Sequence, residues 1–210
     1  MTSQILLATN NAKKLAELQS IVDEAGLTVT VVSPKTAGAY PEPAETEWSF
    51  VGNALIKARA GVAATGLITI ADDSGLCVDA LGGMPGVRSS RWAGPECDDT
   101  ANLELVLRQI DDVDEDRRTA KFVSVVALVT PDGAEHTWTG EMPGVLATAP
   151  RGEGGFGYDP IFVADDSTAA DDGEPRTNAE LSAPEKNAIS HRGKAMRAML
   201  PTLVELLGAR

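Results

Sequence analysis

Two rhythms of apolar and polar positions run along this chain, and together they lay out its elements. Ile5-Leu6-Leu7-Ala8 is a compact apolar run, and after the polar stretch Thr9-Asn10-Asn11-Ala12-Lys13-Lys14 the apolar residues Leu15, Leu18, Ile21, Val22 and Ala25 return at helical spacing until Gly26. Strand, polar loop and helix follow from that pattern. A second strand is expected over Thr28 to Val32, then a Pro-rich connection from Pro34 to Pro43, then a helix from Phe50 to about Ala64 capped by Ser49, with Phe50, Ala54, Ala58 and Val62 as its apolar stripe. Leu67 to Ile70 reads as a buried strand, ended at Asp72-Asp73-Ser74-Gly75 by a turn. Leu81 to Gly86 reads as a loop, and Asp98 or Asp99 caps a helix carrying Leu103, Leu107 and Ile110 ahead of the solvated acidic connector Asp111 to Asp116. Phe122 to Thr130, the turn Pro131-Asp132-Gly133 and Glu135 to Thr139 form the clearest hairpin, so antiparallel strands join the earlier ones and the sheet is expected to be mixed. The glycine-rich run Arg151 to Pro160 leads into a strand over Ile161 to Val163, and the acidic tract Ala164 to Glu180 reads as a mobile surface loop. Ser182-Ala183-Pro184-Glu185 is a capping box that starts a short helix, and a last helix buries Met196, Met199, Leu200, Leu203 and Leu207.

Composition narrows the class. At 210 residues, 43% hydrophobic and 23% charged, the chain is expected to be one compact α/β unit rather than disordered or fibrous. A net charge of -13 disfavours nucleic acid polymers and anionic membranes as partners, while a small anion stays possible wherever cations cluster. Cys77 and Cys97 have neither metal-ligand spacing nor a disulfide framework, which fits a reducing compartment and two small buried hydrophobes. There is no signal-peptide pattern, and the run Phe122 to Val129 is too short to span a membrane; the expectation is a soluble cytoplasmic protein.

Candidate chemistry gathers in four stretches. Asp72-Asp73 places two like charges side by side, which solvent, a nearby cation or a bound metal must offset, and magnesium commonly takes one or two protein carboxylates. The Thr9 to Lys14 loop sits between a strand's carboxyl end and a helix's amino end, where backbone N–H groups favour an anion; Lys14 adds charge and Asn11 a neutral donor, unless Thr9 or Asn10 simply caps the helix. No Gly-x-x-x-x-Gly-Lys pattern is present, which excludes a P-loop. Asn53 and Lys57 share one helix face, either beside Glu45 or in ordinary solvent. In Gly154 to Pro160, Phe156 and Tyr158 offer aromatic faces and Asp159 a carboxylate for a planar base, with a plain turn as the alternative. Lys186, His191 and Arg192 make a basic cluster in an acidic chain.

Taken together these stretches resemble the non-canonical purine nucleoside triphosphate pyrophosphatases, the inosine/xanthosine triphosphatase family. The likeness rests on Thr9-x-Asn11-x-x-Lys14, Ala71-Asp72-Asp73-Ser74-Gly75-Leu76, Gly154-Gly155-Phe156-Gly157-Tyr158-Asp159-Pro160 and Ser190-His191-Arg192-Gly193, in that order. It implies an elongated mixed sheet flanked by helices, two lobes with the site in a cleft, and a magnesium-dependent homodimer that cuts the α-β phosphate bond of dITP, ITP or XTP. It further implies that Thr9, Asn10, Asn11, Ala12, Lys13 and Lys14 hold the triphosphate, with Lys57 a weaker second cation. Glu45 and Asp73 would bind magnesium, Asp73 would also be the base, and Ser74 would touch substrate. Phe156, Gly157, Tyr158, Asp159, Lys186, His191 and Arg192 would form the nucleotide pocket. The alternative is a purine nucleotide-binding protein that does not hydrolyse. Gly52 stands where the family often has an acidic residue, and the tract from 164 to 180 is longer than expected.

Overall fold

In the computed structural model, residues 3–169, 173 and 175–208 are described. Of the acidic tract expected as a loop, Ala170, Asp171, Asp172 and Glu174 lie outside the described residues, as do Met1 and Thr2 at the N-terminus. The elements are β1 (Ser3–Leu7), α1 (Ala12–Glu24), β2 (Val29–Val32), α2 (Pro34–Ala37), α3 (Phe50–Thr65), β3 (Thr69–Val78), β4 (Met84–Pro85), α4 (Asp99–Gln109), β5 (Thr119–Val129), β6 (Glu135–Leu146), β7 (Phe162–Ala164), α5 (Ala183–Ile189) and α6 (His191–Gly208). The described strands form one seven-stranded sheet in the order β2-β1-β3-β5-β6-β7, with β4 paired on β3. It is mixed as expected: β1 runs parallel to β2 and β3, while β4 on β3 and β7 on β6 are antiparallel. Among the described residues no helix is long and apolar enough to cross a membrane.

The chain divides into two compact units, neither continuous in sequence: residues 1–73, 124–139 and 194–210 make the first, and 74–123 and 140–193 the second. In the first unit, strand alternation sorts side chains between two helix layers. Ile5, Leu7, Ile68, Ile70, Val126 and Leu128 pack with Leu18 and Val22 of α1 and Met196, Met199 and Leu203 of α6. The alternate positions Ala71, Val125, Ala127 and Val129 pack against Ala54 and Ala58 of α3. A sheet covered on both faces needs apolar residues at consecutive positions, which is why the stretch 125–129 reads as an unbroken run. The second unit has its own core, in which Leu76, Val78, Phe122, Met142, Leu146 and Phe162 pack with Leu103, Val106 and Ile110 of α4 and with Tyr158 and Ile161.

Several expectations are corrected. The strand expected to stop before Asp72 continues through both aspartates and Gly75 to Val78, because each carboxylate finds a partner and nothing forces a turn. The expected Leu81 to Gly86 loop contains β4, whose Met84–Pro85 peptide is cis. Part of the Pro34 to Pro43 connection is helical, since Pro34 occupies the first turn of α2 where its missing N–H costs nothing. Within the acidic connector Glu115 begins a short 3-10 helix, and Ile161 closes another rather than starting β7. Cys97 is exposed and Cys77 half-buried, so neither is the buried hydrophobe expected.

Close approach of backbone fixes one position in β6. A Cβ on Gly144 would run into the Val163 carbonyl oxygen and come within 2.9 Å of the Phe162 ring. Gly144→Ala should therefore cost about 1–3 kcal/mol, as overpacking does, seen as a melting temperature lowered by several degrees in thermal denaturation.

Candidate functional site

The first unit carries a cluster of carboxylates and lysines built on β3. Successive residues of a strand face opposite ways, so Asp72 shares the α1 side with Ile70 and Asp73 the α3 side with Ala71. Lys14 Nζ donates to both carboxylate oxygens of Asp72, at 2.9 and 2.8 Å. On the other face, Lys57 Nζ donates to Asp73 Oδ1 at 3.3 Å and to Glu45 Oε1 at 3.0 Å, and Asn53 Nδ2 donates to Asp73 Oδ2 at 3.2 Å. The Asn53 Oδ1 accepts the Glu47 N–H at 3.0 Å, tying the segment that bears Glu45 to α3. Asn53 and Lys57 are buried, so the alternative of a solvated face is excluded.

Electrostatics follows from this packing. Burial pushes the Asp73 carboxyl above the usual range; the Lys57 ammonium opposes that, and the neighbouring Glu45 adds to it. Burial alone would pull Lys57 down, but the Asp73, Glu45 and Asp72 charges together hold it above its ordinary value. Lys57 is thus a firmly charged ammonium between two carboxylates.

Loop and helix start beside this cluster are set by Asn11. Its Oδ1 accepts the Lys13 and Lys14 N–H groups at 2.9 and 3.4 Å, so Asn11 is the cap, not Thr9 or Asn10. Thr9 Oγ1 instead accepts the Asn11 N–H. Asn10, Ala12 and Lys13 are exposed. Thr9 and Asn10 line a small pocket with Pro34, Tyr40, Glu42 and Lys57. Tyr40 and Glu42 were missed in the sequence because a Pro-rich connection gives no periodicity to place them.

The second unit organises its glycine-rich stretch around Asp159, which is 2% exposed. Asp159 Oδ2 accepts the Phe156 N–H at 2.8 Å and Lys186 Nζ at 2.5 Å, and Oδ1 accepts from Asn178 Nδ2 at 3.3 Å. Phe156 is 57% exposed, with Lys186 Nζ 4.8 Å from its ring centroid. Asp99 Oδ2 accepts the Gly157 N–H at 2.9 Å. Tyr158 points the other way, into the core, donating to the Ser89 carbonyl at 2.8 Å, and burial pushes its phenol well up. It therefore offers no free aromatic face. The helix α5 that presents Lys186 starts at the capping box of Ser182 and Glu185; the Arg176 guanidinium and Ser182 hold the Glu185 carboxyl down to about 2. His191 stacks on Phe122 with ring centroids 5.0 Å apart, and Arg192 lies 3.4 Å from Ser74 Oγ. Partners such as Asn178 and Asp99 left no motif in the sequence, since each acts through one side-chain contact made possible by folding.

Oxygen donors decide what the first cluster could hold. Among the described residues no group of three or more His, Cys, Asp and Glu side chains converges as a metal site. Glu45 and Asp73 do converge as a pair on one cation, the Lys57 ammonium. A carboxylate pair suits magnesium, which completes its shell with water and phosphate, better than a metal needing an all-protein cage. Gly52 adds no carboxylate to the cluster, and a Cβ there would come within 2.5 Å of Glu47 Cβ.

Comparison with known proteins gives a consistent picture. The model of the Ham1 family matches residues 5–202. The chain is 54% identical to the dITP/XTP pyrophosphatase of Corynebacterium efficiens over 98% of its length and 99% of that protein. It is 50% identical to that of Streptomyces coelicolor over 98% of its length and 100% of the relative. Among solved structures, the nucleoside-triphosphatase / dITP/XTP pyrophosphatase of Mycobacterium abscessus superposes with a TM-score of 0.77 at 51% identity, covering 94% of this chain and 99% of that one. A HAM1 protein from Coxiella burnetii gives a TM-score of 0.86 at 40% identity, covering 97% and 99%.

Lys57→Met would leave Glu45 and Asp73 facing each other without their cation. It should lower stability by about 3 kcal/mol, the low end for breaking a buried pair, measured by urea denaturation at neutral pH. Because the Asp73 carboxyl is already raised and a protonated acid needs no ammonium, the deficit should shrink as the pH is lowered.

Proposed function

The chain belongs to the Ham1 family, and from that membership we propose that it hydrolyses the non-canonical purine triphosphates dITP, ITP and XTP to the monophosphate and pyrophosphate. The observation that carries this reading is the convergence of Glu45 and Asp73 on a single cationic point, at 3.0 and 3.3 Å, in a chain that also carries a capped, lysine-bearing loop. A protein that only bound nucleotide would not need a buried carboxylate kept basic. The relatives from Corynebacterium efficiens and Streptomyces coelicolor are dITP/XTP pyrophosphatases.

The residues divide the work. The Thr9 to Lys14 loop binds the triphosphate through the Lys14 ammonium, at the positive end of the α1 dipole. Asp73 takes a proton from a water whose oxygen attacks the α-phosphorus; the bond to the bridging oxygen breaks and pyrophosphate leaves. Burial makes Asp73 a stronger base than a solvated carboxylate, which suits it to that transfer. Asn53 fixes its second oxygen, and Lys57 limits the repulsion with Glu45. Glu45 and Asp73 would hold magnesium, which would supply positive charge against the phosphate oxygens, a large share of what a site contributes in phosphoryl transfer. Ser74 contacts substrate next to the base.

The second unit supplies the purine half of the reading. The exposed Phe156 face stacks on the base, while Lys186, anchored by the buried Asp159, provides the polar group near its edge, with His191 and Arg192 completing the pocket. A site whose donors require a 6-oxygen leaves them unpaired against adenine, so rejection of ATP is strong. The protein acts as a cytoplasmic homodimer in this reading.

A pyrophosphate-release panel over dITP, XTP, ITP, dGTP and ATP tests it. The first three should be turned over at least about 100-fold more efficiently than ATP, and chelation of magnesium should abolish release. Asp73→Asn should lower kcat by about 10²–10⁴-fold while still binding nucleotide; wild-type turnover in that variant would remove Asp73 as the base.

A further inference from the structure

We propose that Asp72 is the positioning residue for Lys14, and that of the two adjacent aspartates only Asp73 belongs to the metal and base machinery. This rests on the reading of the Thr9 to Lys14 loop as the triphosphate binder and assigns the one carboxylate of the motif that reading leaves unused.

Three observations carry it. First, the pleat of β3 sends Asp72 to the α1 side and Asp73 to the α3 side, where Glu45, Asn53 and Lys57 gather, so Asp72 does not face the carboxylate pair. Second, both Asp72 oxygens are engaged by Lys14 Nζ at 2.9 and 2.8 Å. Third, burial is asymmetric: the Asp72 side chain is 2% exposed and that of Lys14 21%. The carboxylate is therefore a fixed anchor inside the unit, and the ammonium is the part that reaches solvent.

The chemistry of an ammonium completes the argument. Lys14 has three N–H donors on a flexible four-carbon stem. Asp72 engages its head through two oxygens and leaves donor capacity for an incoming anion. The other end of the same residue is fixed as well, since its backbone N–H is capped by Asn11. Lys14 is thereby held at both ends before substrate arrives, and a phosphate oxygen meets an ordered donor instead of ordering one. The cost is a partial cancellation of the lysine charge, which a residue present only for attraction would not accept.

The experiment compares Asp72→Asn, Asp72→Glu, Lys14→Met and the Asp72→Asn/Lys14→Met pair, each first checked for folding by circular dichroism. Calorimetry with dITP carrying a methylene in place of the α-β bridging oxygen reads binding without turnover, and titration of magnesium against pyrophosphate release reads the metal. Asp72→Asn should weaken analogue binding about tenfold, leave the half-saturating magnesium concentration unchanged, and add nothing once Lys14 is Met. Asp72→Glu, which keeps the charge but shifts the anchor by one methylene, should lie between wild type and Asp72→Asn. The proposal is overturned if Asp72→Asn raises the magnesium requirement as Asp73→Asn does, if it binds the analogue as well as wild type, or if its loss multiplies with that of Lys14→Met. If Asp72→Asn does not fold, Asp72→Glu alone decides, by unchanged magnesium demand with weakened binding or the reverse. A substrate-free measurement keeps the two readings apart. The ¹⁵N-resolved ammonium signal of Lys14, visible when ion pairing slows proton exchange, should be present in wild type and lost in Asp72→Asn. Its presence in a protein that binds no analogue would refute the triphosphate reading and leave the positioning of Lys14 standing, whereas its absence from wild type would refute the positioning.

Discussion

Everything at the first unit's cluster depends on the pleat of one strand. Two aspartates in a row repel, and in a turn they would be left to solvent. In β3 the same pair is separated by the sheet itself, one carboxylate to each helix layer, and each layer brings its own lysine. The alternation that sorts Ile70 from Ala71 in the two cores is the alternation that sorts Asp72 from Asp73. Hydrophobic packing and charge placement are consequently one constraint: a register slip would exchange the two carboxylates between Lys14 and Lys57 and turn Ile70 out of its core.

The second unit applies the same chemistry with different backbone. Asp159 is a nearly inaccessible carboxylate matched to one lysine, Lys186, and its remaining capacity goes to the Phe156 N–H and to Asn178. A chain with net charge -13 could not bury carboxylates without such pairing. In both units the lysine is more exposed than its buried aspartate partner in the pairs Lys14–Asp72 and Lys186–Asp159. That ordering leaves the cation, not the anion, to meet an incoming phosphate or base. Lys57 is the exception, at 9% side-chain exposure between Glu45 and Asp73, and its setting is that of a structural counter-charge.

How far this could be read from the sequence depended on whether the signal was local. Helical spacing placed α1, α3, α4 and α6, the Ser182 and Glu185 capping box placed α5, and the hairpin around Pro131-Asp132-Gly133 placed β5 and β6. Asp72-Asp73 misled for a physical reason: local rules weigh charge and a following glycine as a turn, while the partners that make a strand tolerable, Lys14 and Lys57, lie 58 and 16 residues away. Asn53 and Lys57 were legible as a shared helix face, but which way that face pointed was set by β3 packing beneath it. Phe156 and Tyr158 looked alike as aromatic candidates; only one is exposed, and nothing in their spacing distinguishes them.

What separates those two aromatics is backbone, and it shows how a glycine-rich run can do more than turn. Residues two apart in extended chain share a side, so Phe156 and Tyr158 would point together. Gly155 and Gly157 both adopt positive φ, at 75° and 59°, conformations a side chain would strain, so the chain on either side of Phe156 is not extended. Asp159 accepts the N–H of Phe156, Asp99 that of Gly157, and the Tyr158 hydroxyl locks onto Ser89. With three consecutive residues pinned to three different partners, the ring of Phe156 is held outward, with the Lys186 ammonium as its neighbour. A Cβ on Gly155 would collide with the Asp159 carboxylate, so the glycine is required by the very residue that anchors the loop. The exposed aromatic face is therefore built into the unit by the hydrogen bonds of its own loop, from the exposed one at Gly157 to the buried one at Tyr158.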